Sequence, residues 1–85
     1  SSKKAQELNV KPIARIVSQA SVAQAPEWFT TAPIEAIKKV ISISSLNIED
    51  IGLFEINEAF SVVPMAAIKD LNLLAKRALY FYLTV

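Results

Sequence analysis

The stretch Ile51-Gly52-Leu53-Phe54-Glu55-Ile56-Asn57-Glu58-Ala59-Phe60 decides how this chain folds. The nearly continuous apolar run over residues 51–56 suits a strand covered on both faces, as parallel strands are. Asn57 ends that run and stands at the strand's carboxyl end. Helical spacing follows, with Phe60, Val63, Ala67 and Leu71 on one face and Ala59, Val62, Ala66 and Ile68 beside them, which predicts a helix over residues 58–71. Two readings of Asn57 stay open. Its side-chain oxygen can cap that helix by accepting a backbone N–H. Alternatively its amide faces a ligand, because open α/β sheets bind ligands beyond the carboxyl ends of their strands. An Asn amide placed there can donate towards a developing oxyanion, directly or through water. Pro64 lies inside the predicted helix, where proline removes a backbone bond at roughly 3 kcal/mol unless the helix bends, so a kink is expected near residues 60–64.

Upstream, residues 47–50 read as a turn. Before it, Thr30, Thr31 and Pro33 are helix-start signals and Glu35 sits in the favourable first turn. This helix is expected to run to Ser44. Ile34, Ile37 and Ile41 form its apolar stripe, widened by Ala36, Val40 and Ile43. Glu35 and Lys39 are spaced to pair on the wet side, and Lys38 and Lys39 read as a solvated face. Ser42, Ser44 and Ser45 weaken the last turn, and no Gly ends it. Trp28 and Phe29 precede this helix as core or lid residues, or as the wall of a ligand pocket. Residues 19–26 are a loop of small residues. Residues 13–17 read as a strand, with Arg15 snorkelling at an edge. Strand, helix and strand in this order predict a right-handed crossover. Residues 1–8 look like the tail of a helix, with Asn9 as its left-handed C-terminal residue, and Pro12 biases Lys11 towards an extended conformation.

Downstream, residues 72–77 are a connection. Residues 78–85 are uncharged and strongly β-forming, either a third buried strand or a tail that aggregates. The expected class is therefore α/β, in the order β-α-β-α with a third strand as one option, and an incomplete sheet. Glu55 and Glu58 could form an acid/base pair, but three residues apart across a strand-to-helix break they read more simply as solvated or helix-terminal charges.

Composition narrows the chemistry. With 85 residues there is one domain or less, and a chain this small buries little more than half of its unfolded surface. An apolar share of 53% and a mean hydropathy of +0.38 suggest faces that need covering. Nine Lys plus Arg against eight Asp plus Glu leave no basic field for nucleic acid or a membrane surface. The sequence has no Cys and no His, which excludes thiolate catalysis, a Ser–His relay and the usual zinc ligands within these residues. No apolar run approaches the roughly 20 residues of a membrane span, and the N-terminus lacks a signal-peptide core, so the expected location is cytoplasmic.

Asn57-Glu58-Ala59-Phe60 after an apolar strand resembles the NEAF motif of thiolases, the acyl-CoA acyltransferases that make or cleave acetoacetyl-CoA and related thioesters. The likeness extends to Lys11-Pro12-Ile13-Ala14-Arg15-Ile16-Val17 and Ala25-Pro26-Glu27-Trp28-Phe29-Thr30-Thr31-Ala32-Pro33. Together these look like the opening of the C-terminal thiolase domain over residues 1–74, closest to acetyl-CoA C-acetyltransferases, with residues 75–85 a divergent tail. The resemblance implies that Asn57 is catalytic, holding a water that completes an oxyanion hole. It implies that Phe60 and Phe29 line the pantetheine pocket of a coenzyme A (CoA) thioester, with Trp28 a further candidate. It implies no cofactor beyond that substrate.

The family's nucleophilic Cys, its GHP-motif His and its second Cys have no match here. Ser45 stands where Gly usually ends the first helix, and Pro64 where Ala is usual. The family fold also separates this domain's first two strands by later ones, so this chain is expected to pair its strands differently or stay partly open. The implied function is a thiolase fragment inactive alone, its exposed apolar surface calling for self-association or a missing domain. The alternatives are a stand-alone α/β module that binds CoA at Phe29 and Phe60, and a piece that adds to a full-length thiolase.

Overall fold

The computed structural model describes residues 1–73 and the backbone of 78–81. Helix α1 (Ser2–Glu7) starts at Ser1, whose hydroxyl accepts the Lys4 N–H at 3.3 Å, and buries nothing. A 3-10 turn (Pro26–Thr31) leads into α2 (Ala32–Ser44), and a second (Ile48–Asp50) leads into β1 (Phe54–Asn57). Helix α3 (Val62–Asp70) and strand β2 (Ala78–Phe81) complete the order. β1 and β2 pair in parallel, Phe54 opposite Ala78 and Asn57 opposite Phe81. The third-strand option is thus realised over 78–81, while residues 74–77 and 82–85 lie outside the described residues.

Helix α2 follows its local signals. Pro33 occupies its first turn, where a missing N–H costs nothing, and Glu35 favours the positive end. Ile34 is buried and Ile37 and Ile41 pack beside it, but Ile43 is exposed. Glu35 pairs with Lys38 at 2.9 Å rather than with Lys39. The Lys39 ammonium instead donates to the Ser21 carbonyl at 2.9 Å and holds the small-residue loop to the helix. Past the helix end Ser45 has φ 57, and Asn9 after α1 has φ 50, both left-handed. An L residue is strained there and Gly is not. Ser45→Gly is therefore expected to stabilise by about 0.5–1 kcal/mol, the relieved strain outweighing the added freedom of the unfolded chain. Thermal denaturation should show a midpoint higher by roughly 2–8 °C.

Three expectations are corrected. Residues 13–17 form no strand: Ile13 is 103% exposed, and β1 and β2 are the only strands of the sheet among the described residues. Strand propensity needs a partner for its N–H and C=O groups, and none lies alongside. The strand–helix–strand unit therefore falls one step later, as β1-α3-β2, and the expected β-α-β-α order is not observed. The strand itself is also shorter than expected, four residues ending on Asn57.

The second correction concerns α3, which begins at Val62 with Ser61 at its N-cap, not at residue 58. Pro64 consequently lies in the first turn, where the N–H has no partner within the helix, and the expected kink loses its cause. The third follows from this. Asn57 lies four residues before Ser61, so it is not the helix cap.

The core sits between α2, β1 and α3. Ile34, Phe54, Ile56, Val63 and Ala67 are buried in one cluster, with Ile37, Ile41 and Leu71 packed against it. β1 alternates strictly, Phe54 and Ile56 pointing inward and Glu55 and Asn57 outward, so it is covered on one face and not on both as expected. That alternation puts the Asn57 side chain at the surface.

Candidate functional site

Asn57 is the last residue of β1 and is exposed, at the rim where the strand ends. It opens onto a groove of about 290 Å³ between β1, the start of α2 and α3. Pro33, Ala36 and Ile37 line it from α2, Val63 from α3 and the inward-pointing Ile56 from β1, with Phe29 and Ala59 beside them. Glu55 also lines the groove, two residues before Asn57 on the same face of β1. The groove is thus mostly apolar, with one amide and one carboxylate. That composition, mostly apolar with a few polar groups, is common to ligand sites, though this groove is open.

The structure brings Asn57 and Phe29 together in this groove. Phe60 reaches it through Phe29: the two rings meet edge to face, centroids 6.2 Å apart and planes at 69°. Trp28 is 63% exposed and is not among the groove's lining residues. Glu55 and Glu58 do not form a pair. The Ser61 hydroxyl donates to Glu58 at 2.5 Å, while Glu55 borders the groove. The groove position of Glu55 was not readable from strand alternation, since Ile56 on the opposite face of β1 lines the groove as well. Nor were the contributions of Pro33 and Ile37, because they depend on how α2 packs on β1.

A larger hollow, about 780 Å³, lies beneath the extended segment and is lined by Ala5, Pro12, Ile13 and Arg15 among others. It is a gap under a chain that lacks strand partners, and Asn57 does not border it, so the smaller groove is the better candidate site. Among the described residues no helix is long and apolar enough to cross a membrane, and no three His, Cys, Asp or Glu residues gather as a metal site.

An apolar groove with an amide at the end of a parallel strand defines the class: an α/β domain with a groove at its strand ends. The family model described as "Thiolase, C-terminal domain" matches residues 10–79. The chain belongs to the thiolase C-terminal domain family.

Over 69 residues the chain is 51% identical to the mitochondrial acetyl-CoA acetyltransferase of Mus musculus, covering 81% of this chain and 16% of that protein. It is 48% identical to the probable acetyl-CoA acetyltransferase of Dictyostelium discoideum, covering 81% of this chain and 17% of that one. Among solved structures, the Acat5 thiolase of Ascaris suum in complex with coenzyme A is 47% identical with a TM-score of 0.87, over 92% of this chain and 20% of that one. The acetyl-CoA acetyltransferase of Bacillus anthracis is 35% identical with a TM-score of 0.86 over the same shares. The chain therefore spans about a sixth of the length of the curated relatives it matches. Several of those relatives are named as mitochondrial, which lends the cytoplasmic expectation no support.

Proposed function

We propose that this chain is a segment of an acetyl-CoA acetyltransferase-type thiolase, contributing the Asn57 amide and part of the acyl-CoA groove to a site whose nucleophile and base lie outside these 85 residues. The observation that carries this reading is the exposed Asn57 at the end of β1, sharing an apolar groove with Phe29, in a chain of this family. An amide N–H there can donate to a water or an oxyanion, and one such donor is worth roughly 100- to 1,000-fold in rate where charge develops. The substrate is a CoA thioester, and no separate cofactor is invoked. Residues 1–74 carry this role, and residues 75–85 are the tail that follows them. Ile13, Ile16, Leu53 and Met65, all exposed, are surfaces that other parts of a thiolase-length protein cover.

With no Cys and no His, the chain alone has neither a thiolate nor an imidazole to start acyl transfer. The purified 85-residue chain is expected to cleave acetoacetyl-CoA in the presence of CoA no faster than a protein-free blank. Turnover that follows the chain through purification and vanishes in Asn57→Ala would refute the reading. Calorimetry with CoA at millimolar concentration is expected to show no saturable heat, because the groove is open and walled on few sides. Saturable binding there would favour a stand-alone CoA-binding module instead.

A further inference from the structure

Four residues separate β1 from α3, and they form neither helix nor strand. Pairing with Phe81 sets the face of β1 on which Asn57 lies, and residues 58–61 are the segment that follows it at the rim. The backbone holds them on one side: the Phe60 carbonyl accepts the N–H of buried Val63 at 2.9 Å, and the Ser61 carbonyl accepts that of Met65 at 3.3 Å. The Ser61–Glu58 hydrogen bond closes the turn on itself and ties it to nothing else. The Phe60 ring reaches another element, meeting Phe29 edge to face although the two are 60% and 56% exposed. Rings this exposed gain little from burial, so the contact acts mainly by orientation.

Phe29 is itself anchored. It belongs to the 3-10 turn, whose Trp28 departs from helical geometry at φ −106, ψ 15. The Gln24 amide donates to the Trp28 carbonyl and, at 2.8 Å, to the Thr31 hydroxyl. The Thr31 hydroxyl donates to the same Trp28 carbonyl at 2.9 Å. These bonds lock the backbone on both sides of Phe29, and the turn packs on both α2 and α3. A continuous path therefore leads from the Gln24 clamp through Phe29 and Phe60 to the turn that follows Asn57.

We infer that Phe29 is a positioning residue for Asn57, acting through Phe60, in addition to walling the groove. Its ring fixes the 58–61 turn and so, within that face, the direction of the Asn57 amide at the rim. The inference takes Asn57 as the working residue of the proposed function, yet its test reads the turn directly and needs neither turnover nor ligand.

The test is NMR and amide hydrogen exchange on the 85-residue chain. In Phe29→Leu, the amides of residues 58–61 are expected to exchange roughly two- to tenfold faster, the loss an aromatic pair of this kind carries. The Asn57 side-chain amide signals should move towards those of an unstructured Asn, while the Phe54 and Ile56 amides keep their protection. Phe29→Tyr keeps the ring edge and should restore the wild-type pattern. Phe60→Leu should match Phe29→Leu, and the double variant should add nothing further. Unchanged Asn57 signals in Phe29→Leu would overturn the inference. So would Phe29→Tyr behaving like Phe29→Leu, or exchange at 58–61 in the wild type as fast as in an unstructured peptide. Turnover by the isolated chain would refute the proposed function and leave these signals unaffected, so the two failures are separable.

Discussion

Ala67→Asp is expected to abolish the cooperative fold. Ala67 is 0% exposed, packed among Ile34, Phe54, Ile56 and Val63, and no polar or charged side chain is buried among the described residues. A carboxylate at this position would have no partner. The effective penalty for an unpaired buried ion is several kcal/mol. The site also lies in the second half of α3, where a negative charge opposes the helix dipole. At roughly 0.05–0.15 kcal/mol per residue, an 85-residue chain has about 4–13 kcal/mol in hand, and small chains sit at the lower end. Far-UV circular dichroism through a urea titration should show no sigmoidal transition. A cooperative transition near the wild-type midpoint would mean that Ala67 is not enclosed.

Phe54→Ala should cost about 3–5 kcal/mol, the range for emptying a buried aromatic site. Phe54 is the first of the two inward residues of β1 and links the strand to α2 and α3. With a urea slope of about 1 kcal/mol per M for a chain this small, the midpoint should fall by roughly 3 M or the transition should vanish. Glu55→Gln, one residue on and facing outward, should stay within about 0.5 kcal/mol of wild type. The contrast between neighbours tests the alternation directly, and with it the placement of Asn57 at the rim. Equal effects at the two positions would remove the basis for that placement.

The groove's polar groups are partly legible in the amino-acid sequence. Asn57, at the end of an apolar run, is the best candidate in the chain, and it lies exposed where the strand stops. The helix-cap reading fails because a cap is defined by where the helix begins, and α3 begins at Val62. Residues 58–61 have no strong local preference, and Pro64 fits a helix interior badly but a first turn well. The apolar spacing from Phe60 onward is correct in period and wrong in its starting point. Phe60 is exposed and meets Phe29, while Val63 and Ala67 enter the core.

Local energetics account for what the amino-acid sequence determined by itself. Helix α2 with its Pro33 and Glu35 start, the left-handed Asn9 and the turn at 47–50 all depend on groups a few residues apart. The family signature Asn57-Glu58-Ala59-Phe60 is legible in the same way. Tertiary structure alone decided which β-forming segment becomes a strand. Residues 13–17 and 78–81 both have the propensity, but only the second lies beside β1 and exchanges hydrogen bonds with it. It also decided that Glu55, Phe29 and Pro33 share a groove with Asn57. A strand or a groove wall exists through partners distant in the chain, and no local preference specifies which partner arrives.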